Sequence, residues 1–270
     1  MTLRTLSTSL LAFSLAAPLV LGGCPAVYPE LGTRTHAIPP GRQLDPPPPP
    51  DVRWLKVASA TVPEKTRDGR PWAANGKSDP YAKLFVNGKE IFRTPVQSGT
   101  LAPTWPDGPK GNFKIGSEDK LRVEVWDSNA INDKPICVQD IGKVNEDALL
   151  ERRIRVTCDA GGDVVILYEE AHAVQGAGLW YELRADAAGV TRMLEGSPAQ
   201  RAGLEPGDDL LEIGGRKVST MSADEVKSAM NAIPFAGLPL LVKHKEGAVL
   251  TLTLKEGPIY PLYEQFGSIE

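Results

Sequence analysis

Cysteine and histidine carry much of protein chemistry, and this chain holds three of each in 270 residues. His36 lies among prolines, and His172 and His244 sit near strand ends. No spacing among them makes a zinc set or a catalytic triad. No G-x-S-x-G elbow and no phosphate loop is present. The sequence therefore predicts binding, with no enzyme activity, no small-molecule substrate and no cofactor. Cys137 and Cys158 are the pair whose spacing matters. "ICVQDIGKV" and "RRIRVTC" both read as strands. If they form an antiparallel hairpin with Val144 opposite Glu151, the constant position sum also sets Cys137 opposite Cys158. Cross-strand β-carbons lie about 4.5–5.5 Å apart, slightly wider than disulfide geometry prefers. A disulfide is expected; two small buried thiols are the alternative.

A disulfide needs an oxidising compartment, and the N-terminus points to one. Arg4 precedes an apolar run from Leu6 to Leu21, too short to favour a spanning helix. The run ends in "LVLGGC". Leu21-Gly22-Gly23-Cys24 resembles the bacterial lipobox. That resemblance implies a signal peptide over residues 1–23 and a mature chain beginning at Cys24. The Cys24 thiol would take a diacylglyceryl group, and several palmitate-like chains would anchor it firmly to a membrane. A plain secretory signal or an uncleaved anchor is the alternative. The implied location is the cell envelope, on the periplasmic or outer side of a membrane. Residues 24–51, with "DPPPPPD", read as an extended stalk rising about 3.1 Å per residue.

Thirty basic residues against 34 acidic ones give a net charge of −4, too balanced for a nucleic-acid binder or for docking on anionic lipid by charge alone. Between residues 52 and 170 short alternating segments recur. "WLKVASAT", "YAKLFVNGKEIF" around Asn87-Gly88, "KLRVEVWD" and "DVVILYEE" suggest a β-sandwich. "NGKSDPYAKL", "LRVEVWD" and a later "DIG" make this segment resemble a C2 domain. The resemblance implies eight strands with ion-binding loops at one end. Its calcium ligands would map to Asp79, Asp127 and Asp133. Three departures weaken the set: Ala73 stands where an acid is usual, Asn129 replaces another, and Asp133 is about two residues out of register. Calcium takes six to eight oxygens, so weak or absent binding is expected. Glu64 or Asp68 could substitute, or Ser78-Asp79-Pro80 could simply turn the chain. Trp72 could enter a lipid interface or fold back on its own loop.

Residues 171–257 change character. "GSPAQRAGLEPGDDLLEIGGRKV", Gly196 to Val218, resembles the bacterial kind of PDZ domain, a small β-barrel with helices. The resemblance implies a groove between one strand and a helix, where a protein C-terminus or extended peptide adds as a strand. The helix is "SADEVKSAMNA", opened by a Ser222/Glu225 capping box. Two registers fit the glycine-rich loop that would hold the ligand carboxylate. The favoured one is Gly178-Leu179-Trp180-Tyr181, with Leu183 further along the strand; the other is Gly176-Ala177-Gly178-Leu179. On the helix, Ala223, Lys227 and Met230 would face the groove. Ala223 cannot read a ligand hydroxyl, so an apolar, tolerant pocket is expected. Residues 258–270 read as an irregular tail.

The whole is mainly β: an eight-stranded C2-like sandwich followed by a PDZ domain. The expected function is a lipid-anchored envelope adaptor that binds a protein partner through the PDZ groove. One rival is a calcium- or phospholipid-binding surface lipoprotein with a structural PDZ unit. Another is a regulatory or secretion-apparatus subunit.

Overall fold

The computed structural model describes residues 35–38 and 43–266. The targeting segment, Cys24 and much of the stalk lie outside those residues. Among the described residues no helix is long and apolar enough to cross a membrane.

After β1 (His36–Ala37) come β2 (Val52–Ala60), β3 (Pro80–Val86), β4 (Lys89–Arg93), β5 (Phe113–Lys114), β6 (Lys120–Asp127) and β7 (Lys134–Lys143). A short helix, α1 (Asp147–Glu151), precedes β8 (Arg153–Thr157) and β9 (Asp163–Glu170). Two four-stranded sheets result, ordered β4-β3-β6-β7 and β5-β2-β9-β8. Alternation sets their inner faces. In β6, Leu121, Val123 and Val125 are buried, while Arg122 on the other face pairs with Glu124 at 2.8 Å. Leu55, Val57, Leu84 and Ile166 join them in one core. Each such side chain contributes about 1.5–3 kcal/mol by leaving water. Asn87 (φ 50°) and Gly88 (φ 81°) make the tight β3–β4 turn that their sequence announced.

Cys137 and Cys158 are joined, with S–S 2.03 Å and Cα atoms 5.4 Å apart. The expected hairpin that led to this pair does not form. β7 pairs with β6, and β8 pairs with β9, in the opposite sheet. The connection through α1 crosses between layers, so Val144 does not face Glu151 across a ladder. The bridge therefore links the edges of two sheets.

The second unit contains β10 (Val174–Gly176), β11 (Leu179–Leu183), β12 (Ala188–Met193), α2 (Pro198–Arg201), β13 (Asp209–Ile213), β14 (Arg216–Lys217), α3 (Ala223–Asn231), β15 (Leu238–Lys243), β16 (Val249–Leu254) and β17 (Gly257–Ile259). Its main sheet runs β11-β12-β13-β15-β16, with β14 on β13; a second runs β1-β10-β17. The barrel expected here is built as these two sheets, neither closed on itself. Local signals placed both helices. Ser197 caps α2 ahead of Pro198, and the Ser222/Glu225 capping box opens α3. Leu204, Leu210 and Ile213 are buried as expected, and Leu211 is half-buried.

Two segments expected to be an extended stalk and an irregular tail contribute paired strands. The stalk contributes β1, which pairs with β10, and Pro46, whose carbonyl accepts the Tyr260 hydroxyl at 2.7 Å. The tail contributes β17 and then Tyr263, whose ring lies 5.3 Å from that of Phe113 and 5.6 Å from that of Phe92 in the sandwich. These segments pair through two or three residues at great sequence distance, so no periodicity could announce them.

Candidate functional site

β11 stands at the end of its sheet. It pairs with β12 on one edge, and no described strand covers the other. Leu179 and Tyr181 point into the same core as Val226 and Met230 of α3. Trp180 points the other way. It packs with Leu194 and Ile259 and lies under the Arg192 guanidinium, 4.7 Å from the ring centroid. The indole thus stays away from the apolar cluster that α3 and β11 share. Leu183 is half-buried, while Ala223 and Lys227 lie on the exposed side of α3. An uncovered strand edge beside a capped helix is the arrangement by which a peptide can add in extended form.

The loop before β11 is Ala177-Gly178. Leu179, Trp180 and Tyr181 already belong to the strand, and Gly178 and Leu179 are common to both registers. Gly178 has φ +74°, and a β-carbon there would meet the Ser197 β-carbon at 2.5 Å and Ile259 at 3.2 Å. Left-handed strain and overpacking then act together, so Gly178→Ala should cost about 2–4 kcal/mol of stability. Gly215 has a similar φ of +79° and open space around it, and Gly215→Ala should carry only the strain. Urea titration of both variants checks the difference; equal losses would remove the role of close approach.

The loops at one end of the sandwich gather the three acids. The Asp79 amide donates to Asp127 Oδ1 at 2.7 Å, and Asn129 Nδ2 donates to Asp127 Oδ2 at 3.0 Å. Asp79 Oδ1 accepts from the Gly99 amide at 2.6 Å. Asp133 accepts from the Tyr81 hydroxyl at 2.7 Å and from the Asn129 amide at 2.9 Å. The Tyr81 hydroxyl holds the Asp133 carboxyl below its usual range. Burial, with Asp133 beside it, pushes Tyr81 up to about 12. Ala73 lies exposed in a turn closed by the Gly76 amide and has no side-chain oxygen. Calcium needs free carboxylate oxygens converging on one point. Here both oxygens of Asp127 and both of Asp133 already accept one protein donor each, which competes with an ion for them. Asp68 is turned toward Thr66 and Arg70 instead. Trp72 is buried in the sandwich core, with its indole N–H on the Pro63 carbonyl at 2.7 Å. That is the folded-back alternative.

The histidines are held apart. His36 approaches Glu256, His172 stacks on Trp54 with centroids 4.2 Å apart, and His244 bonds Asp208 at 2.8 Å. Two residues that sequence reasoning passed over are Asn112 and Glu256. Asn112 is buried and Glu256 half-buried, each in a loop or strand end, and nothing in its neighbours marked it.

Residues 56–149 match the family model of the C2 domain, and residues 174–243 match that of the PDZ domain. The chain therefore carries a C2 domain followed by a PDZ domain, the composition of a protein- and lipid-binding scaffold. Among curated proteins it is similar to Tricalbin-1 of Saccharomyces cerevisiae, 40% identical over 65 residues, or 22% of this chain and 5% of that protein. Tricalbin-3 of the same yeast is 32% identical over 75 residues, or 27% of this chain and 4% of that protein. The chain thus spans only a small fraction of those relatives. Solved structures that resemble it include a C2 domain, with TM-score 0.33, 22% identity, and coverage of 44% of this chain and 94% of that one. The paired C2 domains of Extended-Synaptotagmin 2 give TM-score 0.35, 18% identity, and coverage of 55% of this chain and 47% of that one.

Proposed function

We propose that this protein is a non-catalytic adaptor of the cell envelope, anchored by acyl chains on Cys24, that captures a protein C-terminus or extended peptide along β11. The observation that carries this reading is the uncovered edge of β11 beside α3. The side of α3 bearing Ala223 and Lys227 is exposed, which leaves room for side chains of an added strand. The C2 domain positions this groove near lipid or a second protein, with weak or no calcium binding, because Ala73 and Asn129 depart from the ligand pattern and the remaining acids already serve protein donors.

Peptide display against the full chain in detergent tests the groove. Free C-termini should be selected over their amidated forms, and Ala223→Trp, a bulky exposed addition, should weaken capture at least about tenfold, or 1.4 kcal/mol. Indifference to Ala223→Trp would overturn the groove assignment. Calorimetric titration with calcium should show no saturable binding below 1 mM, roughly the weakest range of extracellular modules. Saturation in that range would overturn the calcium clause. Labelling with a palmitate analogue should be lost in Cys24→Ser.

A further inference from the structure

A second recess lies on the PDZ domain away from the edge of β11, where the C-terminal end of α3 meets β10 and the strand β1 donated by the stalk. A cavity of about 720 Å³ is lined there by Gln175, Ile233, Phe235 and Glu256, and a smaller one of about 570 Å³ continues it to Asn231, Ala232 and His36.

Three features of this recess favour the same kind of ligand. The Glu256 side chain is only 14% exposed, and its Oε1 is buried without a hydrogen-bond donor among the described residues. The nitrogen His36 Nδ1 lies 3.6 Å from it, beyond hydrogen-bond distance. A buried carboxylate oxygen without a donor is costly, and a charged N–H donor is the group that relieves it best. The end of α3 adds to this. Its last carbonyls carry the negative end of the helix dipole, and no basic residue occupies its last turn. Finally, Phe235 is fully exposed at the rim, a poor place for an aromatic ring that covers nothing. A ring there offers its face to a planar cation. Arg201 and Lys255 also line the larger cavity, but the Arg201 guanidinium is already bonded to the Gly196 carbonyl.

We propose that this recess binds an arginine side chain of a protein partner, its guanidinium donating to Glu256 and its plane resting on Phe235. Arginine suits the place better than lysine. Its planar fork can serve a carboxylate and helix carbonyls together, and it is less strongly hydrated than an ammonium group. The buried Glu256 oxygen and the carbonyls at the end of α3 both call for an N–H donor, which an apolar or acidic group does not supply. The contact would add a second point of attachment beside the β11 edge, and it stands without that edge being used.

The test uses the full chain in detergent and two capped peptides, acetyl-Leu-Arg-Leu-amide and its citrulline analogue, which has the shape of arginine without the charge. Binding is read from chemical-shift changes of the Ile233 and Phe235 amides. The arginine peptide should saturate, and the citrulline peptide should bind at least about tenfold more weakly. Glu256→Gln should erase that difference, and Phe235→Ala should weaken the arginine peptide several-fold. Removing a desolvated charge leaves Glu256→Gln at least as stable as the parent, so a folded variant is available. Equal binding of the two peptides, or discrimination that survives in Glu256→Gln, overturns the proposal. So does the absence of saturation.

Discussion

Replacing Cys137 and Cys158 together by alanine should lower the unfolding free energy by about 3 kcal/mol. The two residues are 21 apart in sequence, and the bridge closes a loop that crosses from one sheet to the other. β7 and β8 are edge strands of different sheets and share no ladder. At this edge of the sandwich the layers are held together by side-chain packing and by this one covalent link. Without it the unfolded chain gains the freedom that a loop of that size allows. Both sulfurs are buried, so alanine removes the bond without leaving a polar group unsatisfied. For a unit of this size the thermal midpoint should fall by roughly 4 °C per kcal/mol. The comparison needs Cys24→Ser in both chains, so that no third thiol can exchange. Urea unfolding curves of the two chains decide it. Coincident midpoints would mean that packing alone holds the two edges.

What the sequence could announce follows from the range of each signal. Asn87-Gly88, the Ser222/Glu225 box and Ser197-Pro198 act over two to four residues, and each is where its local chemistry requires. The alternation in "KLRVEVWD" fixed which of its residues face inward. The cysteine pair was expected on a ladder that does not exist. "ICVQDIGKV" and "RRIRVTC" do alternate, but alternation says that a segment is a strand, not which sheet takes it. The short helix between them sends the chain to the other layer. β1 and β17 have two and three residues, too few for any pattern. Their placement depends on β10, far away in sequence. The acids were legible as a set but not in their use. That Asp127 and Asp133 accept from Asn129, Asp79 and Tyr81 depends on loop geometry, which sequence spacing does not report. Glu256 was invisible for the same reason, since a carboxylate in "KEGP" reads as an ordinary turn residue.

Asn112→Ala should loosen the two domains from one another and cost about 2–4 kcal/mol, because it strips several buried bonds at once. Asn112 is 2% exposed and lies between the domains. Its Nδ2 donates to the carbonyls of His172 and Pro261, each at 3.0 Å, and its Oδ1 accepts from the His172 amide at 2.7 Å. Its backbone joins as well, donating to Pro261 at 2.8 Å and accepting from the Tyr263 amide at 2.7 Å. One side chain thus ties a loop of the sandwich to the link between the domains and to the chain that leaves the PDZ domain. The neighbouring Gly111 makes the approach feasible, since a β-carbon there would lie 2.6 Å from the Tyr263 nitrogen. Alanine at 112 would leave the partly buried His172 amide without this acceptor, while the two backbone bonds of residue 112 and the aromatic contacts of Tyr263 would be left to hold the tail. Thermal unfolding should then split from one transition into two, and elastase, which cuts after small residues, should cut sooner at Ala171 or Ala173 in the link. Asn112→Asp keeps an acceptor for the His172 amide and loses both donors, so it should fall between parent and alanine. A variant that unfolds in one step at the parental midpoint would mean that the domains are joined without this residue. The orientation of the β11 edge relative to the loops of the sandwich would then rest on β1 and Tyr263.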